Sequence, residues 1–352
     1  QEEHIAAGHG VHSRFGDHLW LDIRLLGREH IDHKLREVKE ICQYFLGVDP
    51  AEQLIPVRPA QHYSMGGVRT DHRGESPQLR GLFAAGEAAC WDMHGFNRLG
   101  GNSVAETVVA GMIVGETMAD FCESAEGALT VSTALVDDFA RRERARLAAL
   151  TSADGNENAY DLIVAMQETM TSNVGIFRHG DQLQEAVSTL SELLQRSRSI
   201  RLRNTHAGAN PELAAAYRAQ RMLKLALCVA HGALQRTESR GAHYRADFPR
   251  RDDGDWMKRT LASWPEEQAL LPELGYENLD IMNMELPPGW RGYGARDFIE
   301  HPDAQLRQRQ IDEILAGLPE ADRHARQAAL MPFLDLLPPH LRPLNQRLGG
   351  TA

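Results

Sequence analysis

The sequence has no long apolar run. No stretch approaches the ~20 uninterrupted apolar residues that a membrane-spanning helix needs. The longest candidate, Val104–Gly115, is too short and ends at Glu116. Paired cysteines are also missing. Cys42, Cys90, Cys122 and Cys228 are scattered without C-x-x-C spacing, which suggests neither a disulfide framework, nor a zinc site, nor an iron–sulfur cluster, and a reducing compartment follows as the default. Basic charge is in deficit: 38 Lys and Arg stand against 49 Asp and Glu, a net charge of −11. That disfavours a general nucleic-acid binder, whose affinity rests on basic surface. The opening Gln1-Glu2-Glu3-His4 has no basic n-region, so no signal peptide is read there. It has no initiating Met either, and the expectation is the middle of a longer protein. No dinucleotide-binding G-x-G-x-x-G unit is found.

What is present is concentrated in residues 56–115. Gln61-His62-Tyr63-Ser64-Met65-Gly66-Gly67 is a His-bearing turn that ends in paired glycines. A short apolar run, 81–85, stops at Gly86-Glu87. Then His94-Gly95-Phe96-Asn97-Arg98-Leu99-Gly100-Gly101-Asn102-Ser103 opens straight into an apolar segment. Ser103 and Glu106 have the S-x-x-E spacing of a capping box, so a helix is expected to begin there. The segment from Val104 to Phe121 is nearly uncharged and reads as a helix buried on most sides, with Gly111 and Gly115 admitting a close backbone neighbour. A glycine-rich loop feeding a helix N-terminus presents free N–H groups and a positive dipole end to an electron-rich ligand. Arg98 adds a planar charged fork suited to a carboxylate or phosphate. Such loops are common in proteins without ligands; the weight here comes from three signals within one short segment.

The motifs His62–Gly67, Gly86-Glu87-Ala88-Ala89-Cys90 and His94–Ser103 resemble the flavoprotein subunit of fumarate reductase and succinate dehydrogenase, in that family's order and spacing. A second stretch, from Glu238 to Asp253, resembles the family's S-R-G-A-H-x-R-x-D-x-P-x-R-D-D segment, with Trp256 and Lys258 following, and Asn173–Arg178 matches another. The resemblance implies an α/β plus α architecture: the C-terminal part of a Rossmann-like FAD-binding domain and of a capping domain, then a helical bundle and an irregular C-terminal domain. The expected division is 1–50 for the end of the capping (substrate-lid) domain, 51–125 for the return to the FAD domain, 126–245 for the bundle and 246–352 for the tail.

By the same resemblance the cofactor is FAD and the substrate pair is fumarate and succinate. His62 and Arg98 are expected to bind the substrate carboxylates, and Tyr63 to flank them. Glu87 is expected to accept from cofactor hydroxyls, and Ser103 and Val104 to offer backbone contacts near the flavin C2 carbonyl. No catalytic residue is assigned, because the family's proton-donating arginine is expected upstream of Gln1; the context of Arg14 does not match it. Expected partners are an iron–sulfur subunit and a cytochrome b-type membrane anchor, with no nucleic acid, at the cytoplasmic face of the inner membrane. Alone, the chain is expected neither to hold FAD tightly nor to turn over. Two alternatives stand beside this reading: a soluble L-aspartate oxidase-type enzyme, and a non-catalytic binding or assembly fragment.

The remaining residues give coarser expectations. Leu19, Leu21 and Ile23 read as one face of a strand, and Ile31, Leu35, Val38, Cys42 and Phe45 as the stripe of one amphipathic helix. Val68–Thr70 reads as a strand and 71–74 as a turn. Helices are expected at about 131–150, 157–172, 181–200 and 210–238. Leu183, Val187, Leu190 and Leu194 form the stripe of the third, and Pro211 lies near the start of the fourth. His30 and His33 have helical i, i+3 spacing but no assignable third ligand, and no metal site is assigned. Beyond about 265 the chain is read as irregular, with helical segments near 302–317 and 320–335.

Overall fold

The computed structural model describes residues 1–279, apart from 14–15, 125–130, 153, 207 and 253, together with 313 and 316. The two helical segments expected after residue 300 fall largely outside the described residues. The chain divides into two compact units, Gln1–Ser64 and Met65–Ala352.

The first unit opens with a turn of helix, α1 (Glu2–His4), and then builds a small antiparallel sheet in the order β1-β2-β3 from β1 (Val11–Ser13), β2 (Gly16–Leu21) and β3 (Ile55–Val57). Pro56 has no N–H to donate and stands opposite Trp20 on the edge strand β3, where its loss is tolerated. The strand expected at 19–23 begins three residues earlier, and its buried side chain is His18 rather than a leucine face. His18 accounts for this by local bonding: its Nδ1 lies 2.8 Å from the carbonyl of Gly16, and its ring meets Trp20 edge-on. The single helix expected through 31–45 is broken. Leu35 leaves helical geometry between α2 (Arg28–Lys34) and α3 (Arg36–Ile41), and only Ile31 and Cys42 of the anticipated stripe are buried.

The second unit begins with β4 (Val68–Arg69), parallel to β5 (Ala89–Cys90). The turn expected at 71–74 is present: Gly74 N–H reaches the carbonyl of Asp71, and the Asp71 carboxylate accepts from the amides of Arg73 and Glu75. After β5 comes the site loop and then α4 (Asn102–Glu123). Helix α4 buries one stripe, Glu106, Ala110, Val114 and Thr117, at spacings of four and three. That stripe packs beside the 3-10 turn Gly86–Ala88, and the Val114 methyls approach Gly74. Its other faces are exposed, including Val104, Val108 and Met112, and a Cβ added at Gly111 or Gly115 would meet nothing within 4 Å among the described residues. The expectation of burial on most sides is therefore not met, since low charge does not by itself say how many faces are covered.

The bundle follows as α5 (Thr133–Ser152), α6 (Ala159–Asn173), α7 (Gly180–Arg196) and α8 (Pro211–Gln235), each close to its expected span. Helix α6 is capped by Asn158, whose side chain accepts from the amide of Tyr160 at 2.8 Å. Helix α8 is capped by Asn210, which accepts from Leu213 N–H, with Pro211 just inside. The core is the α7 stripe Leu183, Val187, Leu190 and Leu194, set against Leu162 and Met166 of α6 and Leu223 and Leu227 of α8. Buried alanines of α8 (215, 216, 219, 226, 230 and 233) leave room for close helix approach. A two-stranded antiparallel hairpin, β6 (Lys258–Ser263) with β7 (Glu273–Asn278), closes the described chain where irregular structure was expected.

Leu190 is fully buried at the centre of this packing. Leu190→Ala is expected to lower stability by about 2–5 kcal/mol. Val164→Ser, on an exposed face of α6, is expected to stay within about 0.5 kcal/mol. Urea unfolding of both variants checks the contrast.

Candidate active site

The loop between β5 and α4 carries the arginine singled out from sequence. It is a chain of tight turns. Gly95 N–H bonds to the carbonyl of Asp92, Asn97 N–H to that of His94, and Asn102 N–H to that of Leu99. Asp92 adopts φ 70°, in the left-handed region, where aspartate is among the more tolerant residues. Arg98 is half-buried, and its Nη1 donates to the carbonyl of Leu99 at 2.8 Å, which holds the guanidinium against its own loop.

The expected capping box does not form. Gly101 is the N-cap, at φ 81°, so Ser103 lies inside the first turn rather than before it. Glu106 instead points inward, 3% exposed, and accepts from Trp91 Nε1 at 3.4 Å. Ser103 and Val104 are thus first-turn residues, in the part of a helix whose amides have no intrahelical acceptor. Val104 is exposed, and an added Cβ at Gly95, Gly100 or Gly101 would meet nothing within 4 Å. Open glycine backbone leading to the positive end of a helix fits a flat, electron-rich group that accepts hydrogen bonds from the main chain.

Glu87 is exposed in the first turn of the 3-10 segment Gly86–Ala88, immediately after the apolar run 81–85. A carboxylate held there accepts hydrogen bonds from hydroxyl groups. Gly67, at φ 140°, lies so close to β5 that a Cβ would fall 2.4 Å from the carbonyl oxygen of Ala88. This explains the second glycine of the His-bearing turn. His62 belongs to the first unit and is exposed, with Tyr63 half-buried beside it in sequence. Arg98, Glu87, Ser103 and Val104 all belong to the second unit. A shallow apolar cleft between β4–β5 and α4, lined by residues including Thr70, Ala84, Trp91, Ala110 and Val114, contains none of the five expected site residues. Among the described residues no group of three His, Cys, Asp or Glu side chains is placed to hold a metal.

The site loop is tied from behind by the end of the bundle. Ala242 N–H donates to the carbonyl of Phe96 at 3.0 Å, and the Arg236 guanidinium lies 4.8 Å from the ring centroids of both Phe96 and Trp256. Glu238, fully buried, holds this arrangement together. Its Oε1 accepts from Arg236 at 2.5 Å and from Arg240 at 2.9 Å, and its Oε2 accepts from Arg240 and from the amide of Asp252. A second tie reaches the loop at Asp92, whose carboxylate takes both Nε and Nη2 of Arg259; Arg259 and Arg69 also share Glu277.

The same segment seals the bundle. Arg245 Nη1 reaches the carbonyls of Ala233 and Leu234, each at 2.9 Å, and that of Arg236, satisfying acceptors at the α8 C-terminus. Its other nitrogens pair with Asp247, which also accepts from Gly180 N–H at the start of α7. Arg178 and Ala246 pair backbone to backbone, so the two sequence stretches 173–178 and 238–253 lie side by side. Sequence reading singled out both stretches but not their pairing, which has no local signature.

Comparison with known proteins identifies the class. Residues 1–104 match the FAD binding domain family, and FAD is the cofactor that this match indicates. Residues 164–293 match the family described as fumarate reductase flavoprotein C-term. The chain is 46% identical to the fumarate reductase flavoprotein subunit of Helicobacter pylori, over 94% of this chain and 50% of that protein. It is 36% identical to the succinate dehydrogenase flavoprotein subunit of Bacillus subtilis, over 75% of this chain and 44% of that one. A solved chain of E. coli quinol fumarate reductase superposes with a TM-score of 0.75 at 34% identity, covering 80% of this chain and 48% of its own. The chain belongs to the family of fumarate reductase and succinate dehydrogenase flavoprotein subunits, and it spans about half the length of the curated relatives it matches.

The buried segment makes stability depend on pH. Arg178 Nη1, which can only donate, bonds to His243 Nδ1, and Nε2 faces the carbonyl of Arg236. This pair of contacts selects the neutral imidazole with its proton on Nε2. Burial, with Arg178, Arg236 and Arg245 nearby, pushes the His243 pKa down to about 4. The Arg245 hydrogen bond holds Asp247 at about 2. In both cases the unfolded chain binds the proton first, so stability rises with pH across each window. The His243 contribution is complete above about 6.5 and is lost as pH falls towards 4; that of Asp247 is lost between about 4 and 2. Urea midpoints are therefore expected to fall between pH 7 and pH 5, with a shallower fall in His243→Leu.

Proposed function

We propose that this chain is part of the flavoprotein subunit of a quinol:fumarate reductase or succinate dehydrogenase, interconverting fumarate and succinate. The observation that carries this reading is the half-buried Arg98 at the glycine-rich entrance to α4, within a chain 46% identical to a fumarate reductase flavoprotein subunit. Fumarate and succinate are dianions. Arg98 supplies a permanent, planar, two-pronged cation for one carboxylate, and His62 supplies a donor for the other. Fixing both ends orients the C4 skeleton and removes most of its freedom before reaction. The same donors stabilise charge that develops on the carboxylate during transfer.

Bound flavin supplies the hydride-transfer chemistry. Glu87 accepts from the cofactor's hydroxyls, and the first-turn backbone at Ser103 and Val104 donates towards the carbonyl edge of its ring. In this reading residues 1–50 close the capping domain, 51–125 return to the FAD domain, 126–245 form the bundle and 246–352 the tail. Electrons are exchanged with an iron–sulfur subunit and, through it, with a cytochrome b-type anchor, which would hold the protein at the cytoplasmic face of the inner membrane. No helix among the described residues is long and apolar enough to cross a membrane.

Arg98→Lys keeps the charge and loses the fork. In the full-length protein with its partner subunits, steady-state fumarate reduction is expected to lose about 10²–10³ in kcat/KM, with flavin content unchanged. Retention of wild-type kcat/KM would remove Arg98 from the substrate site. A polypeptide of residues 1–352 alone is expected to purify without stoichiometric flavin. Absorbance near 450 nm, measured per mole of protein, decides that point.

A further inference from the structure

We propose that Gly241 and Ala242, backed by Arg236, are positioning residues for Arg98, so that the segment sealing the bundle sets the geometry of dicarboxylate binding. The inference rests on the reading of Arg98 given above. It concerns residues outside the expected substrate and cofactor set.

The contact is tight at three points. Ala242 N–H fixes the carbonyl of Phe96, two residues before Arg98, at 3.0 Å. Gly241 lies at φ 57°, and a Cβ built on it would fall 2.6 Å from Phe96 Cβ and 3.0–3.1 Å from the Phe96 carbonyl atoms. The left-handed conformation and the lack of room both require glycine. Arg236 stacks against the Phe96 ring while its other contacts run to Glu238, Trp256 and Lys258, so the ring rests on an anchored cation. At the other end of the loop Arg259 grips Asp92. Between these ties, 92 to 96, the loop has little freedom, and Arg98 leaves it immediately beyond the second tie. A displacement at Phe96 is carried through one intervening residue to the guanidinium. A fork that binds a carboxylate in two prongs tolerates little misplacement.

The test is Gly241→Ala in the full-length, flavin-loaded protein with its partner subunits. Malonate, a dicarboxylate that cannot be reduced, is titrated while the flavin absorption spectrum is recorded. Leu190→Ala, buried in the bundle away from the loop, serves as the control for a general loss of stability. Flavin content and unfolding midpoint are measured for each variant. Gly241→Ala is expected to weaken malonate binding by at least about tenfold and to raise KM for fumarate more than it lowers kcat. Leu190→Ala is expected to bind malonate as the wild type does, although it unfolds more easily. Asp92→Gly is a second variant that accepts the positive φ and removes the Arg259 tie together with the longer 4.0 Å ion pair to Arg69; it is expected to shift malonate affinity in the same direction. Wild-type affinity in both Gly241→Ala and Asp92→Gly overturns the inference and leaves the dicarboxylate reading standing. An equal loss of affinity in Leu190→Ala also overturns it, since the effect would then be general. A wild-type protein whose flavin does not respond to malonate overturns the dicarboxylate reading, and the inference with it.

Discussion

The second unit depends on how the end of α8 is sealed. A helix that stops inside a folded protein leaves carbonyls without partners, and each one buried unpaired is costly. Arg245 answers three of them with one nitrogen and keeps its charge balanced by Asp247, which in turn caps the start of α7. To reach that position the chain must turn back on itself between Arg236 and Arg245. That turn buries Glu238 among Arg236, Arg240 and the amide of Asp252. A buried carboxylate is tolerated only when its charge and lone pairs are met, and here each oxygen accepts two hydrogen bonds. The outer edge of the same turn presents Gly241 and Ala242 to the site loop.

Structure and chemistry are therefore coupled through the backbone of one segment. The bundle contributes no residue to substrate binding in this account. It contributes a rigid surface, and a loop of glycines and tight turns needs one. Helix α4 starts from Gly101 and sets the direction of the first-turn amides, and its Glu106 accepts from Trp91 at the beginning of the loop that precedes it. The β6–β7 hairpin supplies Arg259 and Glu277, which fix Asp92 and Arg69.

Local patterns were legible in the sequence. The α7 stripe, the Pro signal at the start of α8 and the Asp71–Gly74 turn each express physics confined to a few neighbouring residues. The motifs at His62, Glu87 and Arg98 were legible as a resemblance, and they fall on irregular backbone, a 3-10 segment and a loop. The failures have physical reasons. Ser103 and Glu106 have capping-box spacing, but Gly101 took the cap and Trp91 took Glu106. Leu35 fits the helical stripe, yet its backbone breaks α2 from α3. The hairpin strands Lys258–Ser263 and Glu273–Asn278 bury neither face cleanly, so no two-residue alternation marks them. The contact of Gly241 with Phe96 joins residues far apart in sequence through irregular backbone, and no periodicity encodes such a pair.

The central claim is that the arginine-bearing loop is held by the segment that seals α8. Amide hydrogen exchange at Ala242 tests it most directly, because that single N–H is the bond in question. If the bond to Phe96 persists, Ala242 exchanges slowly, like amides within the α7–α8 core, while the exposed neighbouring turn exchanges quickly. If Ala242 exchanges at the rate of an open surface loop, the tie is absent and the account fails.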